Sequence, residues 1–171
     1  MNSAKLFHSF FQKEPSITTS AHGRVNLIGE HTDYNNGFVL PSLIPQSIEV
    51  SICLREDDKI IGISSEFGEL QSITSSPKDG TWLDFVRGAI YFCQKISPSL
   101  KGLEVAVSSS IPSGSGLSSS AALETALLRA ISQLKDITIH SQEMAKIGQQ
   151  IEHQFDGTKC EIMDQMASAC G

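Results

Sequence analysis

Ile111-Pro112-Ser113-Gly114-Ser115-Gly116-Leu117-Ser118-Ser119-Ser120-Ala121-Ala122 is the stretch from which the fold of this chain is read. An alternating run, Leu103-Glu104-Val105-Ala106-Val107, leads into it, and an alanine- and leucine-rich segment leads out. That order is strand, tight glycine loop, helix. Glycine lets a backbone come close to a ligand, and the first turn of a helix presents unpaired N–H groups at the positive end of its dipole. Together they make an anion site, most often for phosphate. No Lys follows the second glycine, as a Walker loop requires, and the third glycine of the dinucleotide fingerprint is absent. A Ser/Gly linker is the plainer alternative. Against it, an amphipathic helix begins inside the serine run.

Downstream, Leu123, Leu127, Ala130, Ile131 and Leu134 fall on one helical face. A further helix is expected from near Ser141, with Met144, Ile147, Ile151 and Phe155 as its buried side and Asp156-Gly157 as its end. Met163 to Ala169 begins a last helical piece. Upstream, Thr81 is expected as an N-cap with Asp84 three residues on, ahead of the stripe Trp82, Phe85, Val86, Ala89, Ile90, Cys93 and Ile96. Lys5 to Lys13 reads as a short helix that stops before Pro15. Ile48, Val50, Ile52 and Leu54 alternate as a half-buried strand. A short strand at Phe38 to Pro41 precedes it, with Pro41 and Pro45 bounding a connection. Lys59 to Ser65 and Glu69 to Thr74, joined around Glu66-Phe67-Gly68, extend these strands into an expected antiparallel meander. The sum is one α+β domain over residues 1–171, a mixed β-sheet with three or four helices packed on it.

With a net charge of -6, the chain has no electrostatic footprint for nucleic acid. The hydrophobic share of 40% and charged share of 19% suit a globular protein rather than a disordered one. No run approaches the length of a membrane span, and the first residues carry too short an apolar stretch for a signal peptide. Cys53, Cys93, Cys160 and Cys170 form no C-x-x-C pair, so free thiols and a cytoplasmic location are expected.

A second unusual stretch runs from Gly23 to Gly37, Gly23-Arg24-Val25-Asn26-Leu27-Ile28-Gly29-Glu30-His31-Thr32-Asp33-Tyr34-Asn35-Asn36-Gly37. Glu30, His31 and Asp33 lie among turn formers, where a solvated turn is the simple reading. Arg24 stands among apolar residues, and a buried arginine wants a partner. Asp164, in Cys160-Glu161-Ile162-Met163-Asp164-Gln165, is either a helix cap or a catalytic carboxylate that Arg24 keeps ionised. A phosphate loop also needs a metal. Mg²⁺ takes oxygen ligands, and Ser119 or Ser120 with Glu152 are the candidates. His153 reads as a surface or core residue. No G-x-S-x-G elbow supports a serine hydrolase.

Three of these stretches resemble a known family. Gly23 to Tyr34 is similar to the galactokinase signature. Pro112 to Ala122 resembles the phosphate loop of the wider GHMP small-molecule kinases, and Cys160 to Gln165 resembles that family's C-G-I-M-D-Q run. The resemblance implies transfer of the ATP γ-phosphoryl group to the anomeric hydroxyl of galactose, with ATP and Mg²⁺ required. By position it implies Asp164 as the catalytic carboxylate and Arg24 as its assistant. Glu30, His31 and Asp33 would bind the sugar. Gly114, Ser115, Gly116, Leu117, Ser118, Ser119 and Ser120 would cradle the triphosphate, Trp82 and Phe85 would flank the adenine, and Ser120 and Glu152 would hold Mg²⁺.

The resemblance covers only the N-terminal portion of such kinases, so the C-terminal domain is expected to be missing and activity of this chain alone is left open. Glu161 replaces the family's glycine in C-G-I-M-D-Q, and His22 stands where the family usually has Pro. Two alternatives remain at this point. One is a kinase acting on N-acetylgalactosamine or arabinose. The other is a non-catalytic sensor binding galactose and ATP, against which the serine run Ser118-Ser119-Ser120-Ala121-Ala122 is intact.

Overall fold

The computed structural model describes residues 1–29 and 37–171. The chain begins with helix α1 (Ser3–Phe11), two residues earlier than its apolar face suggests, because Asn2 caps it by accepting from Lys5 N at 3.1 Å. Strands β1 (Ile17–Ile28), β2 (Leu40–Leu54), β3 (Lys59–Ser64) and β4 (Gly68–Ile73) follow. Then come α2 (Leu83–Gln94), β5 (Leu103–Ser109), α3 (Ser119–Lys135) and α4 (Ser141–Ile151). A π-helical turn (Glu152–Asp156) extends α4, and α5 (Met163–Cys170) closes the described chain.

The strands form one sheet in the order β1-β2-β5-β3-β4. This corrects the expected meander. The pairs β1–β2 and β3–β4 are antiparallel, but β5 inserts between β2 and β3 and runs parallel to β3. A parallel neighbour needs a crossover, and β4 with α2 supplies it. β5 takes the centre because it is the strand most buried on both faces, Leu103 to Val107 all being buried. On one face Val105 and Leu103 join the main core with Ile52, Leu127, Leu128 and Ile131. On the other, Phe7 of α1 packs against Cys53 and Ala106. Glu104, on that second face, is kept paired by Arg55 Nη1 at 3.0 Å.

The two prolines do not bound a connection, since β2 is continuous over 15 residues. Over residues 40–47 it pairs with β1 alone, so the N–H that Pro41 lacks is not missed by β5. Pro45 falls in a register shift: His22 pairs with Ser47 but Arg24 with Leu43, leaving extra residues on β2 opposite Gly23. Such a bulge re-aims the neighbouring side chain, here Arg24.

Helix α3 lies against the sheet as the centre of the main core. Thr19 Oγ1 donates to Ala126 O at 2.7 Å, and Arg129 donates to Ser20 O at 2.9 Å and to Ala169 O at 3.2 Å. Strand β1, α3 and α5 are thereby fixed to one another. The first turn of α2 also differs from expectation. Thr81 does not cap it; Trp82 occupies that position without a side-chain bond, because Asp84 turns back to the amides of Asp79 and Gly80.

Where α2 crosses the end of α4, a Cβ on Gly88 would lie 2.7 Å from Ile151 Cγ2 and 3.1 Å from Phe155 Cδ2. Alanine gains about 1 kcal/mol in helix propensity over glycine, whereas overpacking a filled core costs about 1–3 kcal/mol. Gly88→Ala therefore lowers the thermal midpoint in a melt followed by circular dichroism, and a rise would contradict this crossing.

Candidate functional site

The glycine loop joins β5 to α3 through three residues in left-handed backbone: Gly114 (φ 67°), Gly116 (φ 70°) and Ser118 (φ 57°). For Ser118 that conformation is strained, on the order of 1 kcal/mol. A tertiary contact holds it, since Ser118 Oγ donates to Asp164 Oδ2 at 2.5 Å. No side chain caps α3, and the amides of Ser119, Ser120 and Ala121 meet no acceptor among the described residues. Orphan amides at the positive end of a helix 17 residues long are suited to an anion.

Arg24 is the hub of this region. Its Nε donates to Asp164 Oδ1 at 2.8 Å and its Nη2 to Asp164 Oδ2 at 2.7 Å, a bidentate fork. Its Nη1 donates to Gly116 O at 2.8 Å, and its backbone N–H to Leu117 O at 3.2 Å. The close approach depends on Gly23, because a Cβ there would sit 2.5 Å from Leu117 O. The Arg24 and Asp164 side chains are 14% and 28% exposed, so the pair is shielded yet reachable. Asp164 is thus not a helix cap. Ile162 holds the capping position of α5, and Asp164 lies inside the first turn, where the helix dipole favours its charge.

A second oxygen pair lies in the first turn of α3. Ser120 Oγ donates to Glu152 Oε1, and Glu152 is buried at the start of the π turn. A π turn widens a helix and often marks a functional site. Gly157 closes it in left-handed backbone (φ 95°), its N–H donating to Glu152 O at 2.6 Å. Hydroxyl and carboxylate oxygens are the donors Mg²⁺ prefers, usually as one or two protein ligands. His153 is exposed, its Nε2 lying 2.8 Å from Cys160 O.

Glu124 was not foreseen in the sequence. It is fully buried, and its Oε2 accepts from Gln165 Nε2 at 3.3 Å, next to Asp164 in the chain. Gly148 makes the space, since a Cβ there would meet Glu124 Oε2 and Gln165 Cγ at 3.0 Å each. Burial, and then the charge of Glu152, push the Glu124 carboxyl well above the usual carboxylate range. A charged residue between Leu123 and Leu127, one turn beyond Ser120, was the available sign.

Two cavities flank these groups. The larger, about 470 Å³, is lined by Leu70, Trp82, Phe85, Ser113, Ser119 and Ser120, among others. The smaller, about 280 Å³, is lined by Gly37, Val39, Pro41, Glu161, Ile162 and Met166, among others. The structure therefore brings together Arg24, Gly116, Ser118 and Asp164, and separately Ser120 and Glu152, with Trp82 and Phe85 lining the same cavity as Ser113, Ser119 and Ser120. Glu30, His31 and Asp33 lie outside the described residues.

Comparison with known proteins identifies the family of the chain. The family model described as GHMP kinases N terminal domain matches residues 84–171, and the galactokinase galactose-binding signature matches residues 5–53. Lactococcus lactis galactokinase, solved in complex with galactose, superposes with a TM-score of 0.84 at 31% identity, covering 96% of this chain and 44% of that one. Methanococcus jannaschii mevalonate kinase shares the fold, with a TM-score of 0.78 at 22% identity over 90% of this chain and 51% of that one. So does a D-glycero-D-manno-heptose 1-phosphate kinase from Bacteroides thetaiotaomicron, with a TM-score of 0.79 at 20% identity over 90% of this chain and 53% of that one. This chain belongs to the GHMP kinases. Within that family it is galactokinase-like, and it spans about half the length of these relatives. No helix among the described residues is long and apolar enough to cross a membrane.

The state of Glu124 gives a pH-dependent expectation. A carboxyl whose folded pKa is raised is fully tolerated below its ordinary value of 4.5; above it the unfolded chain ionises first, and stability falls as pH rises. Glu124→Gln keeps the shape without the proton. In urea melts from pH 4 to 8, the variant gains stability over the parent as pH rises, and a difference independent of pH would show that Glu124 is charged in the fold.

Proposed function

We propose that this chain carries the catalytic and nucleotide-binding half of a sugar kinase that transfers the γ-phosphoryl group of ATP to the C1 hydroxyl of galactose. The observation that carries the reading is the Asp164 carboxylate, locked by Arg24 and Ser118 beside the glycine loop and its uncapped helix. The galactose-binding signature over residues 5–53 supports the choice of sugar.

Asp164 accepts two bonds at Oδ2 and one at Oδ1. An ionised carboxylate has about four acceptor positions, so Oδ1 is the oxygen left to accept from the sugar hydroxyl. That bond aims the hydroxyl oxygen at the γ-phosphorus. As the new O–P bond forms, the bond between the γ-phosphorus and the β–γ bridging oxygen breaks, ADP leaves, and the hydroxyl proton passes to Asp164. Arg24 holds both Asp164 oxygens in its fork, which fixes the carboxylate's orientation, and presents positive charge to the moving phosphoryl group. The loop from Gly114 to Ser120 and the first amides of α3 hold the phosphates, while Trp82 and Phe85 flank the adenine. Glu30, His31 and Asp33 are assigned to the sugar hydroxyls. Ser120 and Glu152 would hold Mg²⁺, which neutralises phosphate charge when bound.

Coupled ADP-release assays with galactose, N-acetylgalactosamine and arabinose test this reading. They are run on this chain and on one extended to the length of the relatives. Galactose is the expected substrate, at least for the longer chain. Saturable galactose binding without turnover in either would instead mark a sensor. Asp164→Asn lowers kcat by about 10²-fold or more, the usual contribution of a positioned acid–base group, and leaves ATP binding in place. Undiminished turnover would remove Asp164 from its role. Glu161, on the smaller cavity where the family has glycine, is expected to weaken the sugar, so Glu161→Gly tightens galactose binding in calorimetry. An unchanged affinity would clear Glu161 of any part in it.

A further inference from the structure

The turn between β4 and α2, residues 74–82, carries Gly80, Thr81 and Trp82 to the wall of the larger cavity. It is tied down by a buried ionic cluster that the proposed chemistry does not use. Arg87, on the first turns of α2, has a side chain with 0% exposure, and the Asp84 side chain has 2%. Arg87 Nη2 lies 2.7 Å from Asp84 Oδ1 and 2.9 Å from Asp79 Oδ1. Its N–H directions miss those oxygens, so the pairing is Coulombic in character. Arg87 Nη1 donates to Pro77 O at 2.5 Å. Asp84 Oδ2 accepts from Gly80 N at 2.8 Å and Asp79 N at 3.2 Å. Asp79 Oδ1 in turn accepts from Thr81 N at 3.1 Å and Thr81 Oγ1 at 2.7 Å. Residues 77, 79, 80 and 81 are thus all fastened, directly or through Asp79, to one helical turn.

Trp82 depends on that fastening. Its ring lies on Gly62 of β3, where an added Cβ would fall 2.4 Å from Trp82 Cη2. Its Nε1 is buried and has no hydrogen-bond partner among the described residues. Shape and the position of the turn therefore fix the ring, not a polar bond. A buried ion pair is seldom worth more to stability than apolar residues of the same volume. Its value here is placement: it orders four backbone positions beside the cavity that Trp82 and Phe85 line.

We propose that Asp84 and Arg87 are positioning residues for a flat aromatic base: through the 74–82 turn they set the plane of Trp82 and hence base affinity, without touching the nucleotide. The inference rests on the nucleotide reading above and adds to it the residues that determine base binding. It separates the base from the phosphates, which meet the glycine loop and α3 instead.

Trp82 is the single tryptophan of the chain, so its emission reports on the site directly. ATP and inorganic tripolyphosphate are titrated by calorimetry into the unmodified chain, Arg87→Lys and Asp79→Asn, with Trp82 emission followed in parallel. Arg87→Lys keeps the charge but loses the directed Nη1 bond to Pro77 O and the planar placement of charge between Asp79 and Asp84. It is expected to weaken ATP on the order of tenfold, the worth of one well-placed aromatic contact, to leave tripolyphosphate unchanged, and to shift Trp82 emission to the red. Equal weakening of both ligands would mean general damage and overturn the inference, as would unaltered ATP affinity in a folded variant. Asp79→Asn, at a half-exposed side chain, tests the same point if Arg87→Lys fails to fold: selective loss of ATP affinity is expected, and none overturns the proposal. An unmodified chain that does not bind ATP overturns the kinase reading itself, a result distinct from unaffected variants.

Discussion

One guanidinium holds the site together. Arg24 reaches from β1 to a carbonyl of the glycine loop and to both oxygens of Asp164 on α5, joining segments 92 and 140 residues apart in the chain. Each partner is held in turn by something it could not supply alone. Gly23 gives the backbone clearance, the register shift opposite it aims the side chain, and Ser118 accepts left-handed geometry in exchange for its bond to Asp164. A lysine cannot make this planar three-way contact, which needs a fork.

The acidic side of the site follows a different logic. Glu124, Glu152 and Asp164 lie close enough to influence one another, and burial makes a full set of charges costly. The chain resolves this by giving each carboxyl its own condition. Asp164 has a cation, Glu152 has a hydroxyl and the prospect of a metal, and Glu124 is pushed toward its neutral form by burial and the charge of Glu152. Gln165 and Gly148 pack around that carboxyl, so the turn carrying Asp164 rests on it. The thiol of Cys160, nearby, is also pushed up, first by burial and then by Glu152, so it stays uncharged in the same cluster.

Local chemistry was legible in the sequence; long-range pairing was not. The glycine loop, the helix after it and the suspicion attached to Arg24 all came from residue type and spacing. The position of β5 did not, because parallel insertion between β2 and β3 is decided by what covers both faces of that strand, and α1 does so from the far end of the chain. Thr81 failed as a cap because the amides of Asp79 and Gly80, in the turn just before it, claimed Asp84. Glu124 was passed over because, in an apolar stripe, one acidic residue reads as an interruption rather than as a buried acid. Asp164 looked like a cap for the opposite reason: its partner lies 140 residues away, out of reach of any spacing rule.

The central claim is that Arg24 and Asp164 act as one unit joining β1, the glycine loop and α5. A double-mutant cycle in urea, with Arg24→Met, Asp164→Asn and the pair, measures it most directly. The account predicts a coupling free energy of about 1–3 kcal/mol, the range for residues in one buried network. Losses that simply add, within about 0.3–0.5 kcal/mol as for independent sites, would contradict it.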